Sequence, residues 1–257
     1  MSVYQHFRKD EHPFVEQALE WLNRVESRYE AKLTEFLDPR QQDILAQLNG
    51  DDEVVQLSFF GGVPDAERKR ALIYPFYEED LAERFQIVLY ELIYPEKFVT
   101  LEHRDVLGTM TGAGIKREKF GDIVMAEGRI QVAAAAEVSA YLEANITQAA
   151  RAKVTLRPIE FGEALQPEEA WEEADGFVSS LRLDVVLSEI YRLPRGKTAP
   201  YIKNGRVKVN WKIVDQPAYQ LDSGDHLSVR GLGRSRVFSL GDLSKKGKQH
   251  IYYGKKS

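Results

Sequence analysis

The sequence contains no cysteine among its 257 residues. This absence excludes a disulfide framework, a cysteine nucleophile, a cysteine-ligated zinc ion and an iron–sulfur cluster. Long hydrophobic runs are also missing, since the stretch Ile130–Ala136 is interrupted by Gln131 and is far shorter than a membrane span. The amino terminus, MSVYQHFRKDEH, has no apolar segment of the kind that a secretory signal needs. We therefore expect a cytoplasmic protein without a membrane span.

Signals of catalysis and of cofactor binding are equally scarce. The five histidines, at positions 6, 12, 103, 226 and 250, have no metal-ligand spacing. Residues 1–176 contain neither a methyl-donor glycine motif nor a catalytic-domain aspartate signature. The sequence accordingly predicts no catalytic residues, no metal, no cofactor and no enzymatic activity.

Charge is distributed unevenly along a chain whose composition is otherwise that of an ordinary globular protein. Residues 177–257 hold 16 Lys and Arg against 6 Asp and Glu, a net charge of +10. Residues 1–176 hold the other 19 Lys and Arg and the other 34 Asp and Glu, a net charge of −15. This asymmetry favours a basic module that binds a polyanion and is attached to an acidic body. Two surfaces of opposite sign that dock on each other are the alternative.

Hydrophobic spacing predicts an α+β protein. Residues 1–84 carry two helical patterns followed by two strand-like runs, and form a mixed N-terminal domain. Residues 85–160 have the order strand, helix, two strands around Glu127-Gly128, helix and strand. This β-α-β-β-α-β order predicts a ferredoxin-like or RRM-like sandwich. Its third strand, RIQVAAAA, offers no aromatic ring to stack on a base, so we expect packing rather than RNA binding there.

Three further segments complete the expected domain organisation. Residues 161–178 are predicted to be a linker, because residues 162–176 contain six acidic residues and no basic one. Residues 179–240 are predicted to form a small domain with two helices. Residues 241–257 form a basic tail, either disordered or following a nucleic-acid backbone.

The stretch from residue 181 to 230 carries the functional signal. An Arg-Leu-Asp triplet precedes a hydrophobic helix, an arginine opens a second helix, and Gly-x-Val-x-Val-Asn and Gly-Asp follow. In this chain these are Arg182-Leu183-Asp184, Arg195, Gly205–Asn210 and Gly224-Asp225. The pattern resembles the S-four RNA-binding domain, which implies two helices packed on a small antiparallel sheet. Two positions depart from the family, which often has Ser where this chain has Pro194 and usually has Asn-Gly where it has Asn210-Trp211.

Phosphate is the expected ligand of this pattern. Cations at the start of a helix add to backbone N–H groups and a helix dipole that already favour anions. Arginine can also bind phosphate through two parallel hydrogen bonds. Asp184 is expected to be structural, bonding a nearby basic side chain or backbone N–H. The predicted RNA-binding residues are Arg182, Arg195, Lys197, Lys203, Arg206 and Lys208.

A second basic loop lies inside the acidic body. It contains Lys116, Arg117 and Lys119. This loop is either a second RNA contact or an ordinary solvated loop.

Short motifs recur along nearly the whole chain outside the S-four-like domain. They are His6-Phe7-Arg8, Phe36–Pro39, Gly61-Gly62 with Glu67–Arg70, His103–Gly108, Gly114–Glu118 and Gly121-Asp122-Ile123. Together these motifs resemble the YlmH family of bacterial S-four proteins. The resemblance implies a cytoplasmic protein that binds rRNA, tRNA or peptidyl-tRNA on the large ribosomal subunit and acts in rescue of stalled nascent chains, encoded near cell-division genes.

Two other functions stay open at this stage. The S-four domain is often appended to RNA-modifying enzymes, which would place a deep pocket with a perturbed carboxylate in the body. A cell-division adaptor that binds protein partners is the other alternative.

Overall fold

The computed structural model describes residues 3–78, 83–167 and 171–256, and the chain divides into two compact units, residues 1–168 and 169–257. The longer helices are α1 His12–Arg28, α2 Pro39–Asn49, α3 His103–Gly112, α4 Ser139–Asn145, α5 Leu183–Ile190 and α6 Arg195–Lys203. The strands are β1 Lys32–Leu37, β2 Val55–Phe60, β3 Lys69–Pro75, β4 Ile87–Ile93, β5 Phe120–Ala126, β6 Arg129–Ala135, β7 Gln148–Ala149, β8 Ala152–Lys153, β9 Thr155–Ile159, β10 Glu172–Val178, β11 Val207–Val209, β12 Lys212–Ile213, β13 His226–Val229, β14 Gly233–Leu243 and β15 Gln249–Lys256. The predicted α+β class is confirmed.

The first unit begins with a three-stranded antiparallel sheet in which β3 lies between β1 and β2. Helices α1 and α2 pack on it through apolar residues such as Leu22 and Leu45. The start of α2 follows from its sequence: Pro39 occupies the first turn, and the Asp38 carboxylate accepts a hydrogen bond from the Gln41 amide at 2.9 Å. Strand β1 is not among the sequence predictions.

The remainder of the first unit is the predicted RRM-like sandwich. Its antiparallel sheet has the order β5-β6-β4-β9, which is the ferredoxin-like arrangement for a β-α-β-β-α-β chain. Helices α3 and α4 cover one face, where Val106 and Leu142 pack against Tyr90 and Val132.

The other face of this sheet is covered as well. Phe36 of β1 packs there with Leu89 and Ala133, and Leu165 from the segment after β9 joins the same cluster. Gly121 makes room for Phe36, because a Cβ at that glycine would lie 2.8 Å from the phenyl ring. The face on which RRM domains stack bases is thus part of a core, in agreement with the expectation for the third strand.

The second unit is built on one antiparallel sheet in the order β10-β15-β14-β13-β11-β12. Helices α5 and α6 cover one face, with Val186 and Ile202 packed against Val207 and Leu227. The alternation of strand residues places His226, Ser228 and their cross-strand neighbours on the opposite face.

The structure differs from the predicted linker and tail. Residues 172–178 of the acidic segment form β10, and residues 249–256 of the basic tail form β15; the two strands pair along seven residues. Side chains of the two segments also meet in pairs, because Lys255 lies 3.7 Å from Glu172, and the His250 Nε2 and Asp175 Oδ2 atoms are within hydrogen-bond distance at 2.7 Å. Backbone pairing between segments some 80 residues apart leaves no local signal in either one.

Candidate nucleic-acid interface

Two arginines converge on one carboxylate where α5 and α6 begin. Arg182 immediately precedes α5, Asp184 lies in its first turn, and Arg195 is the first residue of α6. Arg182 donates two hydrogen bonds to Asp184, from Nε to Oδ1 at 3.0 Å and from Nη2 to Oδ2 at 3.2 Å. Arg195 Nη2 donates to the same Oδ2 at 2.9 Å. The carboxylate therefore orients both guanidinium groups.

The electrostatics of this cluster leave a net positive charge at the surface. The side chain of Asp184 is 9% exposed, whereas those of Arg182 and Arg195 are 38% and 55% exposed. Burial alone would raise the pKa of Asp184, but the hydrogen bonds from the two arginines outweigh it and hold this pKa below its usual value. The carboxylate is thus ionised at neutral pH, and two exposed guanidinium groups share one negative charge. The predicted structural role of Asp184 is confirmed.

Hydrogen bonds from two hydroxyl groups link the start of α6 to the start of α5. The Ser188 hydroxyl donates to the Asp184 carbonyl at 2.8 Å. Thr198, which is buried, has its Oγ1 within 3.2 Å of the same carbonyl and 3.0 Å of the Arg195 carbonyl. These contacts determine where the two arginines lie relative to each other.

The other predicted cations are exposed, and they divide between two locations. Lys197 and Lys203 lie on α6, and Arg206 follows that helix. Lys208 lies on β11 between Val207 and Val209, which point into the core with the helices. Lys208 therefore lies on the face of the sheet opposite α5 and α6, together with His226 and Ser228 (the open face). The six predicted residues thus do not form one continuous edge.

The sequence predictions missed two arginines on that open face. The strand register places Arg234 opposite Ser228, which itself lies opposite Lys208. Arg236 lies opposite His226 on the same face. The alternation Arg-Ser-Arg-Val-Phe over residues 234–238 is typical of a strand with one buried face, and this signal could have identified them.

The second predicted RNA contact is largely occupied by internal partners. Arg117 donates to the carbonyls of Phe120 and Gly121 at 2.6 and 2.9 Å, and burial lowers the pKa of its guanidinium to about 10. Lys119 Nζ lies 2.5 Å from a Glu35 oxygen and 3.0 Å from a Glu137 oxygen. Lys116 is exposed. Two of the three residues thus have partners inside the first unit, and an RNA contact by this loop stays a prediction.

The buried carboxylate that could suggest catalysis also has a structural environment. Burial raises the pKa of Asp122, yet its oxygens accept hydrogen bonds from the backbone amides of Glu67 and Arg68 at 2.5 and 3.3 Å. It thereby joins the N-terminal region to the RRM-like sheet. Over residues 3–78, 83–167 and 171–256, no cluster of His, Asp and Glu side chains could hold a metal ion. The helices in these ranges are too short or too polar to span a membrane.

The two helices on an antiparallel sheet and the match to a family model place the second unit in the S-four class of RNA-binding domains. The family model "S4 domain" matches residues 181–227, which include the whole arginine–carboxylate cluster. Two further models match the first unit: "YlmH, N-terminal" over residues 10–78 and "Putative RNA-binding domain in YlmH" over residues 81–163.

The chain belongs to the YlmH family. It is 43% identical over 252 residues to the Bacillus subtilis (strain 168) "Ribosome-associated protein quality control protein P2", and the match covers 98% of each chain. It is also similar to the solved structure of "Cell division protein ylmH from Streptococcus pneumoniae", with 32% identity and a TM-score of 0.55 over 64% of this chain and 100% of that one.

Proposed function

We propose that this protein is a non-catalytic factor that binds rRNA, tRNA or peptidyl-tRNA on the large ribosomal subunit and acts in rescue of stalled nascent chains in the cytoplasm. The observation that carries the proposal is the arginine pair held by Asp184, because two exposed guanidinium groups in a fixed orientation suit a phosphate backbone. The name of the Bacillus subtilis relative, a ribosome-associated protein quality control protein, supports the ribosomal setting.

The proposed RNA-binding residues remain Arg182, Arg195, Lys197, Lys203, Arg206 and Lys208. Phosphate contacts position a protein on RNA without reading its sequence. The proposal therefore expects binding that depends strongly on salt and tolerates changes in base sequence.

Arg195→Ala tests the proposal. Loss of one charge-assisted contact of about 1.5–3 kcal/mol lowers affinity about 10- to 150-fold. Arg192→Gln is the matched control, since it removes the same charge from the same unit. Arg192 instead contacts Glu189 and lies 3.5 Å from the Tyr253 hydroxyl, away from Asp184. Filter binding of ribosomal RNA at several salt concentrations, with circular dichroism as a folding control, measures both variants.

A folded Arg195→Ala protein that keeps the affinity and salt dependence of the wild type would contradict the assignment. Wild-type protein that fails to bind ribosomal RNA or tRNA would contradict the proposed function itself.

The name of the pneumococcal structure keeps the cell-division adaptor as a second candidate. Affinity purification before and after nuclease treatment separates the two functions. Ribosomal components lost with nuclease support RNA binding, whereas protein partners that survive nuclease treatment support the adaptor. The RNA-modifying alternative predicts stoichiometric modification when ribosomal RNA is incubated with the protein and a methyl donor, and we expect none.

A further inference from the structure

The tight turn between β11 and β12 carries a tryptophan in a backbone conformation that favours glycine. Val209 pairs with Lys212 across the turn, and the two residues between them have positive φ angles, 48° at Asn210 and 63° at Trp211. Turns of this kind usually have glycine as the second central residue, because a side chain there is disfavoured. A bulky residue in such a strained conformation is typical of a functional site.

The Trp211 ring lies at the end of an aromatic layer on the open face of the second unit's sheet. It stacks on His226, with ring centroids 5.2 Å apart and planes inclined by 28°. Trp171 meets His226 and Phe238 edge-on, at 6.2 and 6.1 Å. Gly254 lies beneath this layer, and a Cβ there would come within 2.6 Å of Phe238 and 2.8 Å of Trp171. The sheet is therefore shaped to carry rings on this face.

Positive charge surrounds the layer. Lys208, Arg234 and Arg236 lie on the same face, and Lys256 extends the row, since it pairs with Arg234. Asp225 lies beside the turn, where it accepts a hydrogen bond from Asn210 Nδ2 at 2.7 Å. Within residues 171–256, the strand register places two further carboxylates on this face, Glu173 and Asp175, which belong to the edge strand β10 at the far end of the sheet.

We propose that Trp211 is a base-stacking residue, and that the open sheet face binds an unpaired stretch of RNA. This inference rests on the RNA binding proposed above and extends it beyond the helix cluster. Aromatic rings that stack on bases, flanked by cations that follow the backbone, are the general means of binding single-stranded nucleic acid. Charge complementarity favours RNA over a protein partner here, because among the described residues Lys208, Arg236 and Lys256 lie on this face and Asp225 is the carboxylate beside the turn. Trp211 itself is half-buried rather than enclosed in the core.

Trp211→Gly tests the proposal without endangering the fold. Glycine removes the ring and suits the backbone of the turn, so stability is expected to stay equal or to rise. Loss of one stacked base lowers affinity for a single-stranded RNA roughly 5- to 150-fold. Since no charge changes, the slope of log affinity against log salt stays the same. Trp211→Phe keeps a ring and restores most of the affinity.

The measurement is titration of the full-length protein with a uniformly labelled oligouridine and with a fully paired hairpin RNA. We expect Trp211→Gly to lose affinity for oligouridine and to bind the hairpin almost as wild type does. A folded Trp211→Gly protein with unchanged affinity for oligouridine overturns the inference. So does one that binds both RNAs normally but no longer associates with ribosomal particles, because that result indicates a protein partner.

The two proposals fail differently. If Arg195→Ala lowers the affinity for RNA and Trp211→Gly does not, only the stacking role is wrong. If wild-type protein binds neither RNA, the proposed function fails with it.

Discussion

The RRM-like sheet of the first unit and the sheet of the second unit are both antiparallel, yet they differ in what covers them. The first has α3 and α4 on one face and a second apolar layer, with Phe36 and Leu165, on the other. The second has α5 and α6 on one face and, on the other, rings and cations such as Trp211 and Arg236. The fold type alone therefore does not decide what covers the second face of a sheet.

Each unit also contains two arginines around one carboxylate. In the first unit Glu91, with 7% of its side chain exposed, contacts Arg129 and Arg157 from neighbouring strands. In the second unit, Asp184 contacts Arg182 and Arg195 where two helices begin. The first cluster joins strands within an acidic unit, whereas the second lies among further exposed cations. The same contact is structural in one setting and suited to phosphate in the other.

The largest effect is expected from Leu89→Ala, because it tests whether the second face of the RRM-like sheet is a true core. Leu89 is 1% exposed, and its truncation should cost about 2–5 kcal/mol of the free energy of unfolding of the first unit. Leu243→Ala, at a residue 66% exposed on β14, is the matched control and should cost less than about 0.5 kcal/mol. Urea titration with hydrogen exchange of peptides from each unit measures both. Equal small losses would mean that this face is not a core.

Gln131→Ala tests one polar contact that holds the segment after β9 against the RRM-like sheet. The buried Gln131 amide donates to the Glu163 carbonyl at 2.9 Å and accepts from the Leu165 amide at 2.8 Å. Its loss leaves two backbone groups without partners, so we expect about 1–3 kcal/mol of destabilisation and faster hydrogen exchange over residues 161–165. Gln148→Ala, at an exposed position, should leave both quantities unchanged. Unaltered exchange in Gln131→Ala would show that this segment is held by other contacts.

Lys208→Gln and Arg157→Gln compare the two sheets as RNA-binding surfaces. Lys208 lies on the open face, so its replacement should shrink the magnitude of the salt slope by about 0.7–0.9, the amount expected for one phosphate contact. Arg157→Gln removes the same charge from the covered sheet and should leave the slope unchanged. Fluorescence anisotropy with a labelled ribosomal RNA fragment, repeated at several salt concentrations, measures the slopes. A smaller slope for Arg157→Gln and an unchanged slope for Lys208→Gln would indicate that the first unit contains the RNA interface.

The smallest effect concerns acid stability. Hydrogen bonds from Arg129, opposed by burial and aided by Arg157, hold the pKa of Glu91 below its usual value. The resulting stabilisation is present above the pKa of the unfolded chain, about 4.3, and is lost as pH falls through the folded pKa. Glu91→Gln should therefore flatten the acid limb of the stability curve by about 0.2–1 kcal/mol, since its arginine partners are partly exposed.

Asp184→Asn gives the matched comparison. The pKa of Asp184 is also lowered, so this substitution flattens the acid limb in the same direction. Only Asp184→Asn should also weaken RNA binding, because it alone leaves Arg182 and Arg195 unoriented. Urea unfolding between pH 3 and 7 and RNA titration at neutral pH separate the two variants. A loss of RNA affinity in Glu91→Gln as large as that in Asp184→Asn would remove the distinction between the clusters.

Local patterns in the sequence determined the helices, most strands and the S-four motif. The spacing of apolar residues and the turn at Glu127-Gly128 predicted the RRM-like order, and the Arg182, Asp184 and Arg195 positions indicated the candidate site. These features depend on residues close together in the chain, or on a resemblance with fixed spacings. They can therefore be recognised from the sequence alone.

Only the tertiary structure decided which charged residues are available. It paired the acidic segment with the basic tail as β10 and β15, and it engaged Arg117 and Lys119 with internal partners. It also brought Arg234 and Arg236 beside Lys208 and placed Trp211 against His226. Strand pairing and side-chain contacts join residues that are distant in the sequence. A charged or aromatic residue also has the same local sequence pattern whether its side chain is exposed or contacts an internal partner.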